Sequence, residues 1–417
     1  MTQQDTSEQT LTRLPADLAL RTRESLLRAA PQTDRGLRRI FLSDPAMSCI
    51  IAVGWQTAMT LIGATLYRGG PGFLAHTMQW DAHWYLNILQ EHYALNAASP
   101  AFYPLFPSAV GVLSATTSHD IPYAYLGLLV NTIALAFAIA ALLAISREFG
   151  IQNHRYVTVA FFLAAPAAVF MHLFYTEAVF VALGFWAYLF ALQRRWPLMA
   201  ITLGLLTATR LPALLFVGLC GLEYLRAYEW NIKKALNRNL GYFLLAPAGF
   251  VIYGIYLWVV RDNFFGMFKA YKSTRAWDYL SFKPNFIYSI FKSAFETYRA
   301  LTGERPFDND ITVNYVIPLL CITLLFTCSV YLLYAHRGKG IPLGIFGLCS
   351  IVFFTVNNSL VAVHRYILPC LTIYLVLGLV VANYRKMRAL ALSAGLAMLA
   401  AQVAIVHLLF VTKDFAG

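Results

Sequence analysis

Apolar runs of about 20 residues recur along almost the whole chain. They limit the fold more than any other feature, since a helix of about that length is what crosses the hydrocarbon core of a bilayer. Nine runs come close to this length, at 46–67, 122–146, 156–173, 175–193, 241–260, 313–335, 341–360, 364–382 and 389–411. Of the 417 residues, 59% are hydrophobic and 12% are charged, whereas soluble proteins carry about 25% charged residues. The composition excludes a soluble enzyme, a secreted disulfide scaffold and a disordered chain, and it predicts an all-α polytopic membrane protein.

Two further apolar stretches do not fit single spans. Residues 197–226 are too long for one helix and are interrupted by Arg210, Leu211 and Pro212. We interpret them as two short helices or a broken hairpin, because proline ends or kinks a helix. Residues 101–117 are apolar but short, with two prolines near their start. They form either a short span or a segment at the membrane surface.

Lysine and arginine set the orientation, because both are enriched in the cytoplasmic loops of membrane proteins. Segment 1–45 is rich in arginine and precedes the first apolar run, which we interpret as an uncleaved signal anchor with a cytoplasmic N-terminus. The later basic clusters fall on the same side only if 101–117 does not cross completely and 197–226 crosses twice. Those clusters are Arg194/Arg195, Lys233/Lys234/Arg238, Arg337/Lys339 and Arg385/Lys386/Arg388. This predicts about 11 transmembrane helices, within a range of about 9–13, in one domain over 46–417 of a cell-membrane protein.

The net charge of +12 comes from basic residues that lie between apolar runs. That placement is typical of anchoring beside anionic membrane lipid, and it argues against a nucleic-acid partner. The six cysteines all lie inside apolar stretches and lack the spacing of metal ligands or of a disulfide framework.

In this orientation two long loops, 68–121 and 261–312, face the extracytoplasmic side. The second loop contradicts the usual charge bias, because it holds Lys269, Lys272, Arg275, Lys283, Lys292, Arg299 and Arg305. Long loops escape the charge rule, but basic residues beside a bilayer also suit a lipid phosphate. We therefore take Lys269, Lys272 and Arg275 as weaker candidates for phosphate binding.

Asp81 lies in the segment 79–93, where aromatic and aliphatic residues recur at helical spacing. The pattern predicts an amphipathic helix at the membrane surface. An aspartate in its first turn could simply complement the helix dipole. Alternatively, a partly desolvated carboxylate on an aromatic platform is suited to proton abstraction.

Glu177 begins an apolar run, with His172 and Tyr175 beside it. An ionisable residue so close to hydrocarbon costs several kcal/mol unless it faces a cavity or a partner. It could be the first turn of a helix capped by Tyr175 and Thr176. As a functional residue, it would orient an acceptor or hold an arginine.

Arg210 and the triplet His364-Arg365-Tyr366 also place charged side chains close to hydrocarbon, which is costly without a partner or a cavity. Both arginines could reach out to the membrane surface, or their planar guanidinium groups could bind phosphate oxygens. Asp308-Asn309-Asp310 has the aspartate spacing of a metal-dependent sugar-nucleotide site. However, we interpret Asp310 as a helix N-cap. We therefore expect no metal, and the chain has no P-loop and no dinucleotide fingerprint that would call for a cofactor.

Four segments, in the same order along 46–382, resemble the PIG-V type mannosyltransferases. They are WDAHWYLNILQEHY with AFYPLFP, AAPAAVFMHLFYTEAVFVALGFWAYLF, LGLLTATRLPALLF and VHRYILPCLTIYLVLG. In that family a Trp-Asp pair begins an interfacial helix and a proline-containing apolar segment follows. Tyr175, Glu177 and Arg210 match the family's later segments, whereas Ala165 replaces its Asn and Thr176 its Ser. Arg210 matches the arginine of the family's Leu-Thr-Arg-Ser-Asn-Gly region, and Leu211-Pro212-Ala213 departs from the residues that follow it.

The resemblance implies a GT-C fold and an enzyme that takes sugar from a polyprenyl-phosphate donor on the extracytoplasmic side. It also implies that Asp81 is the catalytic carboxylate and that no metal is needed. The short loops are closer to bacterial members, whose acceptors are glycolipids or wall glycans.

We therefore expect an inverting glycosyltransferase that transfers mannose to a lipid or glycan hydroxyl. Asp81 would be the general base, and Arg210 and Arg365 the phosphate partners. The expected substrate-binding set is completed by Trp80, His83, Tyr175, Glu177, His364 and Tyr366. Two alternatives stay open: a transporter or flippase of lipid-linked sugars without chemistry, and a transferase of the same fold for another sugar, such as a pentose.

Overall fold

Helices make up the regular structure of the part of the chain described by the computed structural model, namely residues 44–68, 72, 74–94, 96–271, 286–357 and 359–412. The chain divides into two compact units, Met1–Ile50 and Ile51–Gly417. In the first unit the described residues are the opening turns of helix α1. All contacts given below lie within the second unit.

The longer helices are labelled α1–α14 in chain order. They are α1 Asp44–Leu66, α2 Ala82–Glu91, α3 Leu105–Thr116, α4 Tyr123–Glu148, α5 Arg155–Leu163, α6 Glu177–Leu192, α7 Trp196–Leu206, α8 Ala213–Ala227, α9 Ala248–Arg261, α10 Phe286–Leu301, α11 Ile317–Ala335, α12 Gly340–Thr355, α13 Leu371–Asn383 and α14 Arg388–His407. Short helical turns join several of them, including Gly266–Ala270, Asn309–Ile311 and Val363–Ile367.

Five helical stretches are long and apolar enough to cross a membrane: Asp44–Leu66, Tyr123–Glu148, Arg238–Arg261, Asn309–Ala335 and Arg385–Thr412. Five shorter apolar helices accompany them: Leu105–Thr116, Glu177–Leu192, Trp196–Leu206, Gly340–Thr355 and Leu371–Asn383. The protein is therefore a helical membrane protein. The predicted number of 11 spans and the GT-C fold remain predictions.

The apolar run 156–173 does not form the continuous helix that its composition predicts. Helix α5 ends at Leu163. Apart from the 3-10 turn Ala168–Met171, residues 164–176 are irregular, and they are largely buried. Pro166 explains the break, because proline has no N–H to donate and disfavours helix in the residue before it. Irregular backbone is tolerated at membrane depth only when protein surrounds it. Here the amides of Gln56 and Asn131 donate to the carbonyls of Met171 (3.1 Å) and Leu173 (2.6 Å).

The break predicted at Arg210 is present. Helices α7 and α8 are separated by the turn 207–212. The hydroxyl of Thr207 donates to the carbonyl of Ala246 at 2.9 Å, and the N–H of Leu105 donates to the carbonyl of Ala208 at 3.1 Å. These bonds tie the turn to the residues just before α9 and to the start of α3. At about 1.5 Å per residue the 12 residues of α3 extend about 18 Å, too short for a bilayer core of about 30 Å.

Two predicted helix starts need correction. Asp81 lies at the N-cap position immediately before α2 and not in its first turn, and its side chain makes no capping hydrogen bond. At the start of Asn309–Ile311 the N-cap is Asp308, which accepts from the N–H of Ile311 at 3.0 Å. Asp310 was predicted for that role, but its carboxylate instead accepts from Arg305 (2.8 Å) and Asn314 (2.8 Å).

Candidate functional site

Two carboxylates and two guanidinium groups meet at one end of the helical bundle. Arg365 donates from Nη1 to Asp81 Oδ2 at 2.6 Å and from Nε to Glu177 Oε1. Arg210 donates from Nη1 to the same Glu177 oxygen at 2.7 Å. We call Asp81, Glu177, Arg210 and Arg365 the charged quartet. All four residues were candidates on sequence alone, and the fold brings them together.

Four separate elements supply the quartet. Asp81 precedes α2, Glu177 is the first residue of α6, Arg210 lies in the turn between α7 and α8, and Arg365 lies in the short helix Val363–Ile367. Each is thus at a helix end or a helix break, where the chain can turn a side chain inward. The contact between Asp81 and Arg365 joins residues that are 284 positions apart in sequence.

Burial differs across the quartet and defines its open side. The side chains of Glu177 and Arg365 are 1% and 3% exposed, whereas Arg210 is 14% and Asp81 is 19% exposed. Two positive and two negative groups cancel, which lets them be buried together without an outside counter-ion. A ligand would therefore approach from the side of Asp81 and Arg210.

Several atoms of the quartet keep bonding capacity. Within the described part of the chain, Asp81 Oδ1 has no hydrogen-bond partner and Arg210 donates only through Nη1. Glu177 Oε2 is buried and likewise has no partner among the described residues. A buried oxygen left in this state costs about 1–3 kcal/mol. At 1% exposure Glu177 is out of a ligand's reach, so a ligand would bind to Asp81 Oδ1 and to the remaining N–H groups of Arg210.

Tyr175 connects the quartet to the backbone beside Asp81. Its hydroxyl accepts from the N–H of Asp81 at 3.1 Å and donates to the carbonyl of Gln79 at 3.0 Å. Tyr175 is fully buried, and burial disfavours a phenolate, so the phenol keeps the proton that it donates. Its ring lies under the guanidinium of Arg365, with 4.5 Å from Cζ to the ring centroid. Tyr175 therefore fixes both partners of the Asp81–Arg365 pair.

The other predicted residues contribute unequally. The guanidinium of Arg210 lies over the Tyr366 ring at 5.6 Å, and His364 is buried 6.3 Å from the Phe170 ring. Trp80 is 39% exposed and has a left-handed backbone (φ 51°), which bulky residues rarely adopt. Strained backbone of this kind is concentrated at functional sites. The conformation of Trp80 therefore supports the hypothesis that the residues around Asp81 form such a site.

His83 and Lys269 are both exposed, and no contact among the described residues joins either of them to the quartet. Lys272 and Arg275 lie outside the described residues. The aspartate spacing at Asp308 and Asp310 raised the alternative of a metal site. Within the described ranges, no three His, Cys, Asp or Glu side chains are grouped so that they could hold a metal ion.

A pair of buried histidines, His76 and His172, was not predicted to contribute. Their Nε2 atoms are 3.0 Å apart, and the rings stack with centroids 5.2 Å apart. His172 Nδ1 lies 2.7 Å from the side-chain oxygen of Gln56. Each histidine is five residues before a quartet carboxylate, so the pair joins the two segments that carry Asp81 and Glu177. The polar Gln56 inside an apolar span was the signal that could have indicated this network.

The bonding around Gln56 fixes the proton positions in this network. Since Gln56 donates from Nε2 to the carbonyl of Met171, its Oε1 accepts from His172 Nδ1. Both histidine rings are buried, with 1% exposure each, and burial disfavours a charged imidazolium. His172 is therefore neutral with a bare Nε2, and His76 donates to it.

Substitutions at His76 should show how much the hydrogen bond from His76 to His172 contributes to the free energy of unfolding. His76→Gln keeps an N–H near the position of Nε2 and should change stability little. His76→Leu leaves the buried Nε2 of His172 without its donor and should lower the free energy of unfolding by about 1–3 kcal/mol. Urea titration of both variants in detergent measures the difference. Equal stability of the two variants would show that the hydrogen bond between the histidines contributes nothing.

Comparison with known proteins gives no family assignment. No protein-family model matches the chain, and no curated protein matches it.

Proposed function

We propose that this chain is a membrane glycosyltransferase of the PIG-V type with a GT-C fold. It transfers a sugar, mannose in the first instance, from a polyprenyl-phosphate donor to a hydroxyl of a lipid or glycan acceptor on the extracytoplasmic side. The observation that carries the proposal is the setting of Asp81. One carboxylate oxygen is held by Arg365 at 2.6 Å, and the other has no partner among the described residues, on the exposed side of a buried quartet.

The proposed step needs one proton acceptor. The acceptor O–H gives its proton to Asp81 Oδ1 while its oxygen bonds to the anomeric carbon. The bond between that carbon and the phosphate oxygen breaks, and the electron pair leaves with the polyprenyl phosphate. Attack opposite the leaving group inverts the anomeric centre. The donor is already activated, so neither a nucleotide nor a metal enters the scheme.

The two arginines take different roles in this proposal. Arg365 is bonded to both carboxylates and nearly inaccessible, so it positions Asp81 and is less suited to phosphate than its sequence setting indicates. Arg210 is more exposed and keeps further N–H groups, so it would bind the departing phosphate. Glu177 holds both guanidinium groups in place.

Product mass tests the proposal. Purified protein, incubated with defined polyprenyl-phosphate sugars and total membrane glycolipid, should yield a glycolipid heavier by one sugar residue. A hexose increment from the mannose donor supports mannosyl transfer, and a pentose increment from a pentose donor supports the same-fold alternative. Movement of intact donor between leaflets of vesicles, with no product of changed mass, would identify a transporter or flippase.

A further inference from the structure

Helix α10, Phe286–Leu301, carries a stripe of large apolar side chains that are exposed in the described structure. The exposed fractions are 69% for Phe291, 59% for Phe295 and 59% for Tyr298. Ile287, Tyr288 and Leu301 extend the stripe, with exposures of 46%, 48% and 72%. Together they expose roughly 600 Å², which reaches the largest apolar patch of a typical soluble monomer.

The opposite face of α10 is fixed to the ends of two apolar helices. Ser289 and Ser293 are buried, and the hydroxyl of Ser289 donates to the carbonyl of Thr355, the last residue of α12, at 2.7 Å. Helix α10 also packs on residues 312–316, which lead into α11. It therefore lies at the level where α11 begins and α12 ends. From Thr355 the chain continues into the short helix that carries Arg365.

Helix α10 packs against α11 and α12, and both of these apolar helices also carry exposed apolar side chains. Leu320 near the start of α11 and Val352 near the end of α12 are 61% and 44% exposed. Helix α10 itself is not a span, because its 16 residues extend about 24 Å and include charged side chains. Its charged residues Lys292, Glu296 and Arg299 recur at helical spacing on a stripe beside the apolar one. This is the pattern of a helix that lies in the plane of a membrane surface.

We propose that α10 lies in the bilayer surface at the end of the bundle that holds the quartet, with its apolar stripe inserted among phospholipid acyl chains. Charge does not drive this contact. Residues 286–310 hold three basic and four acidic side chains, and Arg305 is bonded to Glu296 (3.0 Å) and Asp310 (2.8 Å). The lipid partner is therefore recognised by its hydrocarbon and not by an anionic headgroup. The proposal is independent of sugar transfer, and it makes part of the loop 261–312 membrane-embedded.

Spin-label accessibility tests the proposal on the full chain. The exposed Cys49 and Cys349 are replaced by serine, and single nitroxides are attached to Phe291→Cys and Phe295→Cys. Glu304→Cys is the matched control, because that side chain is 60% exposed and follows the end of α10. Each protein is reconstituted in phosphatidylcholine vesicles with and without phosphatidylglycerol. Collision rates with oxygen, which concentrates in hydrocarbon, are compared with those of a water-soluble nickel chelate.

The ratio of oxygen to nickel collisions should be several-fold higher at 291 and 295 than at 304, in both lipid compositions. A ratio at 291 and 295 equal to that at 304 would overturn the proposal, since the stripe would then face water. A ratio that rises only with phosphatidylglycerol would overturn hydrocarbon recognition. Protection from both reagents that increases with the protein-to-lipid ratio would assign the stripe to a second copy of the chain.

Discussion

Replacing Asp81 by asparagine should lower sugar transfer by roughly 10²–10⁴-fold, the usual loss when a general base is removed. Asparagine keeps the shape of the side chain, and its amide oxygen can still accept from Arg365, which lies 2.6 Å from Asp81 Oδ2. It cannot take a proton from the acceptor hydroxyl. The loss should therefore appear in kcat, with donor affinity nearly unchanged.

The matched control is Glu91→Gln, which removes a carboxylate from the last residue of the same helix. Initial rates with a polyprenyl-phosphate donor and melting temperatures should be measured for both variants. Glu91→Gln should transfer sugar like the wild type. If Asp81→Asn retained activity within about threefold of wild type, well below the loss expected for a general base, Asp81 would be removed from the mechanism.

The charged residues of the site were predictable because charge is expensive near hydrocarbon. Glu177, Arg210 and Arg365 each interrupt or border an apolar run, and that cost requires a partner or a cavity for each of them. Which charges would meet was not predictable, because the contacts join residues on four elements far apart in sequence. The contacts of the quartet therefore change one assignment. Arg365 was expected to bind the donor phosphate, but its guanidinium group is bonded to the carboxylates of Asp81 and Glu177.

The irregular segment 164–176 shows a second limit of sequence reasoning. Its residues are as apolar as those of a span, and Pro166 alone does not distinguish a kink from a break. The distinction lies in partners elsewhere, since Gln56 and Asn131 supply the hydrogen bonds that the freed carbonyls need. Polar amides within apolar runs are costly. Gln56 and Asn131 were therefore the residues in the sequence that could have indicated a break in an adjacent helix. His76 carries no such sign, because it precedes α2 in a loop.

The quartet also makes a prediction about stability, because Glu177 accepts from both arginines. Glu177→Gln leaves Arg210 and Arg365 with one carboxylate between them, in a site where Arg365 is only 3% exposed. Removing one partner of a buried ion pair costs about 3–5 kcal/mol, because the remaining charge is uncompensated. Arg210→Gln should cost less, since that side chain is 14% exposed. Denaturant titration in detergent gives both values.

The double variant Glu177→Gln/Arg210→Gln decides what Arg210 is for. It restores neutrality, with Asp81 and Arg365 left as a pair, so its loss should be smaller than the sum of the single losses by about 0.5–3 kcal/mol. Strict additivity would contradict a shared ion pair. Donor affinity, measured on the same proteins, is the second readout. If Arg210 binds the donor phosphate, Arg210→Gln should weaken it by about 2–5 kcal/mol. Arg210→Lys should weaken it less, because the charge remains but the planar fork is lost.

The pair Glu223–Arg226 provides the matched control for that cycle. It is a second carboxylate–guanidinium pair on α8, with Arg226 Nε donating to Glu223 Oε2 at 2.8 Å and side-chain exposures of 20% for Arg226 and 1% for Glu223. Glu223→Gln should also lower stability, since it too leaves a guanidinium without its carboxylate. It should not change donor affinity, because this pair lies toward the opposite end of α8 from Arg210. If Arg210→Gln lost stability but kept donor affinity, as the control should, Arg210 would be only a structural partner of Glu177. The donor phosphate would then have to bind elsewhere on the exposed side of Asp81.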